Sequence, residues 1–171
     1  MIGKALQRLM NQQVGNELLA CNQYVQIAVY FDGEALPRLA AHYYRQAEEE
    51  RAHAMRFVKY LLDAGGDVAI PAIPAPVAAF KSALEAVKMA QANERRVTEQ
   101  VNALMDQAVK DKDHMAQQEL AWFVAEQREE EASADTLVRM VMRAGEAGLF
   151  HVEAFLKDGG LAAGEAGDGD G

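Results

Sequence analysis

The stretch from residue 64 to residue 79 constrains the fold most strongly, because it is the one long interruption between segments with helical periodicity. It contains Gly65, Gly66, Pro71, Pro74 and Pro76. These residue types are disfavoured inside helices. Sixteen extended residues reach about 50 Å, whereas a helix of about 28 residues is about 42 Å long. The stretch is therefore long enough to return along a whole helix. This predicts an all-α four-helix bundle made of two hairpins and one long crossover loop.

Apolar residues recur at steps of three and four in four segments around this stretch, which is the spacing of amphipathic helices. The predicted helices run from about Ala5 to Phe31, from Pro37 to Asp63, from Phe80 to Val109 and from His114 to Ala144. Short breaks at 32–37 and 110–113 join them into antiparallel hairpins. A short fifth helix is predicted at 149–157, which completes a bundle domain over 1–158. Residues 159–171 are mainly Gly, Ala and acidic residues, a composition that predicts a disordered tail.

Composition narrows the class of protein further. Half of the residues are apolar. The net charge of −9 argues against a nucleic-acid-binding surface and suits cations as partners. Cys21 is the single cysteine, so an intrachain disulfide and a Cys-x-x-Cys module are both excluded. No apolar run approaches the length of a membrane span. We therefore expect a cytoplasmic protein with no membrane partner.

Each of the four long helices carries a polar residue of the metal-ligand type on its otherwise apolar stripe. These residues are Glu17, then Glu50 with His53, then Glu94, then Gln127 with Glu130. Glu17 and Glu50 lie 16 and 17 residues from Gly33, so the first hairpin places them side by side, and the second does the same for Glu94 and Gln127. Any one of them could be a surface carboxylate or a satisfied core histidine. A set of four buried carboxylates at one depth needs a neutralising partner, and bound cations provide it.

Four carboxylates and one imidazole form an oxygen-rich ligand set that favours iron or manganese. Di-iron carboxylate bundles use one Glu from each of two helices and a Glu-x-x-His pair from each of the other two. Three of these four parts are present here, namely Glu17 on the first helix, Glu50 with His53 on the second and Glu94 on the third. On the fourth helix Gln127 and Glu130 replace the expected Glu and His, which predicts a second metal held more weakly and asymmetrically. Glu50 and Glu130 are the expected bridging ligands.

The motif set of Glu17, Tyr24, Glu50-Arg51-Ala52-His53, Glu94 and Gln127-Arg128-Glu129-Glu130 resembles that of bacterial non-haem ferritin over residues 1–157. The resemblance implies a ferritin-like fold and a first iron bound by Glu17, Glu50 and His53. It implies a second iron bound by Glu50, Glu94 and Glu130, with Gln127 beside the oxygen-reacting face and Tyr24 near the centre. A third, mineral-side iron position would use Glu49, Glu126, Glu129 and Glu130. The same acidic residues could instead form a solvated face.

The resemblance also implies an activity and an assembly. Ferritins of this kind are ferroxidases that oxidise Fe(II) with O2 or H2O2 and store the ferric product as a hydrated oxide. Their chains associate into a hollow shell of twenty-four copies. Bacterioferritin, a related family, has His where this chain has Glu130 and binds haem through a Met at the position of Arg51. We therefore expect no haem.

Several residues keep two interpretations at this point. Trp122 could supply an electron during oxidation or could only pack. Asp111 and Asp113 could line an ion-entry pore or complement the dipole of the fourth helix. His42, His114 and His151 are predicted at the surface or at an interface.

Two other functions also fit the pattern. One is a di-metal carboxylate oxidase or peroxidase that acts on a small substrate as a discrete dimer. The other is a non-catalytic helical assembly module whose buried polar residues set the register.

Overall fold

The computed structural model describes residues 2–161 and contains five α-helices and one short 3-10 turn. The helices are α1 (Lys4–Gly33), α2 (Pro37–Asp63), α3 (Ala83–Lys110), α4 (His114–Ala144) and α5 (Leu149–Lys157). The 3-10 turn covers Glu146–Gly148. No strand occurs in the described part of the chain. The predicted all-α class, the four long helices and the short fifth helix are confirmed.

The order and direction of the helices also agree with the prediction. Gln13 of α1 bonds to Gln100 of α3, and Tyr24 further along α1 receives a bond from Asn93. Residue numbers rise along α1 while they fall along α3, so these two helices are antiparallel. Since α2 follows α1 in a tight hairpin, α2 and α3 run parallel. The crossover loop therefore returns along the length of the bundle, as its length predicted.

The third helix begins later than predicted, at Ala83 rather than Phe80. Ser82 is extended (φ −162°) and its hydroxyl accepts a hydrogen bond from the Glu85 amide at 3.1 Å. Such a side-chain cap satisfies one of the free amides at a helix start and fixes where the helix begins. Phe80 packs against the core from the end of the crossover loop instead.

The crossover loop is tied to α1 by two pairs of amide side-chain contacts. Gln23 donates to the Val77 carbonyl at 3.0 Å and accepts from the Val77 amide at 2.8 Å. Asn11 donates to the Asp67 carbonyl at 2.9 Å and accepts from the Ala69 amide at 2.6 Å. The loop has no regular secondary structure to satisfy its backbone amides and carbonyls. These four hydrogen bonds satisfy some of them.

The fifth helix closes one end of the bundle. Leu149 and Val152 of α5 are buried against the core. The carboxylate of Glu153 accepts hydrogen bonds from the amides of Arg38 and Leu39 at 2.9 and 2.8 Å, and so caps the start of α2. Of the predicted disordered tail, residues 159–161 form a turn in which Leu161 packs against the core. Residues 162–171 lie outside the described residues.

The buried core consists of two apolar clusters. One cluster contains Ile27, Phe31, Leu39, Val87 and Leu137 among its members, and the other contains Leu6, Met10, Phe57, Val101 and Leu120. On each of the four long helices, the predicted polar residues lie between the residues of one apolar cluster and those of the other. These polar residues are Glu17, Glu50, His53, Glu94, Gln127 and Glu130. None of the helices in the described residues combines the length and the apolarity needed to cross a bilayer.

Gly15 permits the close passage of the crossover loop over α1. A Cβ atom at this position would lie 2.4 Å from Cγ and 3.1 Å from Cδ of Pro71. We expect Gly15→Ala to displace the loop and lower the melting temperature, although alanine is the better helix former by about 1 kcal/mol. Hydrogen exchange of residues 67–79 should become faster.

The double variant Gly15→Ala/Pro71→Ala provides the control. It removes both ring atoms in closest contact and leaves only the Pro71 Cβ position, at 3.7 Å. Its exchange rates should return towards those of the unsubstituted chain. Equal exchange in Gly15→Ala and in the unsubstituted chain would show that the loop does not depend on this contact.

Candidate metal centre

The four long helices bring five of the predicted ligands together in the middle of the bundle. Oxygen or nitrogen atoms of Glu17, Glu50 and His53 lie within 4.8 Å of one another. The same limit holds for a second set formed by Glu50, Glu94 and Glu130. Glu50 belongs to both sets. These two groups have the same members as the two ligand sets that the resemblance implied, and their role as metal ligands stays a prediction.

All five side chains are buried. None is more than 8% exposed, and Glu17 is completely inaccessible. The two apolar clusters cover the site from both ends of the bundle. Buried carboxylates are rare without a partner, because moving an ionised group out of water is expensive. These five buried side chains could therefore hold metal ions.

Three carboxylate oxygens in this site have no hydrogen-bond partner. In the described residues, four buried side-chain atoms lack one, and three of them are the Oε2 atoms of Glu17, Glu50 and Glu130. Buried polar atoms are normally satisfied, and leaving one unpaired costs about 1–3 kcal/mol. Unpaired oxygens converging from three helices therefore have the chemistry of metal ligands that are ready to bind.

The carboxyl groups hold protons strongly in the absence of metal. Burial raises the pKa of Glu17 to about 7, and its contacts with the side chains of Glu50 and Gln13 oppose the shift. Burial also raises the pKa of Glu50 and Glu130 well above the usual range, with the charge of Glu94 as the next cause in both cases. The pKa of Glu94 is raised by burial as well. Protons can therefore neutralise the site in the metal-free protein.

His53 provides the single imidazole of the site and is neutral. Burial lowers its pKa to about 4, with the Arg56 charge as a smaller cause. Its Nδ1 atom lies 3.4 Å from Oε2 of Glu50. The ring makes edge contacts with Trp122 and Phe123 at centroid distances of 5.5 and 5.8 Å. A neutral imidazole whose ring is fixed by packing is suited to bind a metal through nitrogen.

Trp122 is itself held in place from outside the site. The guanidinium of Arg56 lies 3.9 Å from the centre of the Trp122 ring and donates to Glu119 at 2.6 Å. Arg56 is thus placed by a stacked cation–π contact and a carboxylate. This is the packing role that the sequence left open for Trp122.

Glu94 differs from the other carboxylates because both of its oxygens already accept hydrogen bonds. Tyr24 donates to Oε1 and Gln127 donates to Oε2 at 3.2 Å. Burial, followed by the charges of Glu94 and Glu50, raises the pKa of Tyr24 well above the usual range, so its hydroxyl keeps the donated proton. Tyr24 and Gln127 therefore lie beside the ligand set, as the resemblance implied.

Two amide residues that orient the site were not proposed as site residues from the sequence. Gln13 donates to Oε1 of Glu17 at 2.9 Å, which leaves Oε2 free. Asn93 donates to the Tyr24 hydroxyl at 3.1 Å. Gln13 could have been found, because it is a polar residue four positions before Glu17 on the same apolar stripe. Asn93 lies off the stripe of α3, and its role depends on a contact with α1.

The predicted third metal position is only partly assembled. Glu49, Glu126, Glu129 and Glu130 line a cavity of about 270 Å³ between α2 and α4. Glu126 joins His53 and Glu130 in a further set of atoms within 4.8 Å, but Glu49 and Glu129 join no such set. Glu49 accepts a hydrogen bond from Gln46. The side chain of Glu129 is 56% exposed and lies 3.8 Å from Arg128.

Residues 7–144 match the Ferritin-like domain family. The chain belongs to the ferritin family. It is similar to Ferritin BfrB of Mycolicibacterium smegmatis, with 46% identity over 148 residues that cover 86% of this chain and 81% of the relative. It is also similar to a bacterial non-heme ferritin of Bacteroides fragilis, with 34% identity over 156 residues that cover 91% of this chain and 98% of the relative.

A solved structure agrees with this membership of the ferritin family. The open pore ferritin of Archaeoglobus fulgidus superposes with a TM-score of 0.88 at 30% identity, covering 91% of this chain and 98% of that one. The ferritin-like bundle and the resemblance to bacterial non-haem ferritin are thereby confirmed.

The remaining residues to compare with the prediction for this ferritin are three histidines and one aspartate. His42 was predicted at the surface or an interface, and this is wrong: it is 7% exposed and lines the cavity between α2 and α4. It lies one position before the stripe residue Tyr43, and its ring makes an edge contact with the Tyr43 ring at a centroid distance of 5.0 Å. His114 and His151 are exposed in the described chain. Asp113 caps α4 by accepting from the Ala116 amide at 3.0 Å.

The raised pKa of Glu17 leads to a stability prediction for the metal-free protein. Its folded value of about 7 exceeds the ordinary 4.5, so ionisation destabilises the fold as the pH rises through 7. We expect Glu17→Gln to remove a penalty on the order of 3 kcal/mol at pH 8 and less than about 1 kcal/mol at pH 5. The variant should therefore melt several degrees higher than the unsubstituted chain at pH 8.

The exposed Glu48, with the substitution Glu48→Gln, is the matched control and should leave the melting temperature unchanged. Adding Zn²⁺ should reverse the order, since the unsubstituted chain gains more from the metal than Glu17→Gln does. If metal-free Glu17→Gln had a melting temperature at pH 8 equal to or below that of the metal-free unsubstituted chain, ionised Glu17 would not be destabilising and the prediction would be contradicted.

Proposed function

We propose that this ferritin is a cytoplasmic ferroxidase and iron-storage protein that oxidises Fe(II) at a paired site within each chain. The observation that carries the proposal is the convergence of three unpaired, buried carboxylate oxygens and a neutral imidazole from the helices of one bundle. No protein donor satisfies these oxygens in the described residues. When these groups are ionised, bound cations can neutralise them in place of protons.

The charges of the ligand set support two divalent ions. Glu17, Glu50, Glu94 and Glu130 together carry four negative charges when ionised, which two Fe(II) ions balance. The first ion would bind Glu17, Glu50 and His53, and the second would bind Glu50, Glu94 and Glu130. Oxygen ligands with one imidazole suit iron better than a metal that prefers thiolates.

Oxidation takes one electron from each of the two ions. An O2 molecule accepts both electrons and two protons and leaves as H2O2, or H2O2 accepts them and leaves as two water molecules. The protein provides a dry pocket with fixed ligands and a proton-bearing Tyr24 hydroxyl on Glu94. The two ions lie in one closed site, so both electrons reach the same oxidant.

The second position should bind iron more weakly than the first. Gln127 donates to Oε2 of Glu94, and Tyr24 donates to Oε1. An ion that binds Glu94 must therefore displace or share these hydrogen bonds, whereas Glu17 and Glu50 offer free oxygens. This supports the asymmetry that the sequence predicted from Gln127 and Glu130.

The oxidised iron would be stored inside a 24-subunit shell. Membership of the ferritin family supports this assembly, as does the alignment of 91% of the chain with an open pore ferritin. The carboxylates of Glu49, Glu126 and Glu129 around the cavity would provide an acidic surface for the ferric product.

Substitutions of the ligands test the reaction. We expect His53→Ala and Glu130→Ala to slow the early rise of Fe(III) absorbance by at least about tenfold after addition of two Fe(II) per chain, because each removes a ligand of one ion. Stopped-flow absorbance in air measures the rate, and a sizing column confirms that the shell still forms. The exposed Glu48→Ala serves as the control. Rates equal to the control would refute the site assignment.

Mineral formation tests storage separately from oxidation. After aerobic addition of many Fe(II) ions per chain, electron microscopy should show hollow particles with electron-dense cores. Oxidation without cores, in a protein that elutes as a discrete dimer, would instead favour a di-metal oxidase acting on a small substrate.

A further inference from the structure

Gln13 connects the paired site to a small cluster of amide side chains outside it. Its amide nitrogen donates to Oε1 of Glu17 at 2.9 Å and to Oε1 of Gln100 on α3 at 3.2 Å. Its amide oxygen accepts a hydrogen bond from the Asn16 side chain at 3.1 Å. Gln13 is only 2% exposed. The donor and acceptor groups of this buried amide are therefore all engaged by protein atoms.

These contacts favour one orientation of the Gln13 amide. An ionised carboxylate accepts hydrogen bonds and donates none. An inverted amide would place its oxygen against the Glu17 carboxylate and its NH2 group against the NH2 group of Asn16. Both contacts would be repulsive, because like groups would face each other. Gln13 therefore presents a donor to Glu17, and the surrounding amides hold it in this orientation.

The bond from Gln13 distinguishes the two oxygens of Glu17. Oε1 accepts from Gln13, whereas Oε2 is buried and has no hydrogen-bond partner. An ion held with Glu50 and His53 could bind Oε2 without competition from a protein donor. An ion that binds Oε1 would have to displace or share the Gln13 amide. The hydrogen bonding of the metal-free chain thus favours binding through one oxygen.

The other carboxylates of the site are arranged differently. Glu94 accepts hydrogen bonds on both oxygens, from Tyr24 and from Gln127. Glu50 belongs to two ligand sets, so it can use one oxygen for each ion. Glu17 belongs to a single paired set with Glu50 and His53. One free oxygen is therefore enough for its role, and the second oxygen can be held by a protein donor.

We propose that Gln13 is a positioning residue that makes Glu17 bind the first ion through Oε2 alone. Hydrogen-bond partners of metal ligands commonly fix the orientation of the ligand and tune the affinity for the metal. With one atom each from Glu17, Glu50 and His53, the first ion has three protein ligands. Its remaining positions are open to water or to the oxidant, and a second bond from Glu17 would fill one of them. This role rests on the proposed function, since it requires that these three residues bind an ion.

Zinc binding tests the role of Gln13 without redox chemistry. Crystals of the assembled full chain are soaked in Zn²⁺ alone, and anomalous diffraction at the zinc edge locates the ion. In the unsubstituted chain we expect the first ion about 2.0–2.2 Å from Oε2 of Glu17, while Oε1 keeps its bond to Gln13. A zinc ion bonded to Oε1 or to both oxygens would overturn the proposal, as would a Gln13 amide turned away from Glu17.

Gln13→Met removes the donor and keeps nearly the same side-chain volume. We expect the freed Glu17 carboxylate to rotate and to bind zinc through both oxygens in crystals of this variant. In solution, the tighter Zn²⁺ binding step should weaken at least about tenfold, because Oε2 is no longer held towards Glu50 and His53. Isothermal titration calorimetry of the metal-free shell measures this affinity. An affinity equal to that of the unsubstituted chain, or zinc still bound through Oε2 alone, would overturn the proposal.

Gln100→Met is the matched control, because it removes the link to α3 and keeps the bond between Gln13 and Glu17. It should retain the zinc affinity and the single-oxygen contact of the unsubstituted chain. An equal loss of affinity in both variants would show that Gln13 only connects α1 to α3, and would overturn the proposal.

The unsubstituted crystals decide the question even if Gln13→Met fails to assemble. Zinc bound among Glu17, Glu50 and His53 through both Glu17 oxygens would overturn the role of Gln13 and leave the proposed function intact. The absence of zinc from these three residues would overturn the proposed function itself, and the role of Gln13 with it.

Discussion

Burial of four carboxyl groups at one level of the bundle is the constraint on which the rest of this structure depends. Two apolar clusters exclude water from both sides of the site. This exclusion raises the pKa of all four groups, with burial as the largest cause in each case. An apolar core of the same size would be more stable without them. The polar layer is therefore a functional feature, and the flanking clusters supply the stability that the layer lacks.

Neutral hydrogen-bond donors around the layer determine which carboxylate oxygens remain free. Gln13 occupies one oxygen of Glu17, while Tyr24 and Gln127 occupy both oxygens of Glu94. Because these donors carry no charge, they orient the carboxylates without neutralising them. A lysine or arginine in the same places would satisfy the charge and remove the need for a cation. The choice of amides and a phenol thus keeps the site available for metal.

The sequence predicted the bundle and the convergence of its buried carboxylates well, because both depend on local periodicity. Steps of three and four residues place Glu17, Glu50 and Glu94 on inward faces, and the positions of the turns set their heights. Features that depend on contacts between helices were not accessible in this way. His42 is buried beside a cavity whose other lining residues lie on α4 and at Leu161, far from it in sequence. Glu49 belongs to none of the ligand sets and accepts a hydrogen bond from Gln46, and a count of acidic residues shows neither fact.

Charge balance links the proposed reaction to the cavity beside the site. In the metal-free protein, protons on the carboxyl groups keep the pocket nearly neutral, since the pKa of Glu17 is about 7 and those of Glu50 and Glu130 are higher than usual. In the proposed reaction, two Fe(II) ions would replace these protons and preserve neutrality. Oxidation would then add two positive charges in a region where charge is poorly solvated. Acidic groups adjoin the paired site at the cavity, and Glu130 belongs to both. The proposed oxidation step would therefore create an electrostatic force on the ferric product, directed from the dry pocket towards this acidic wall.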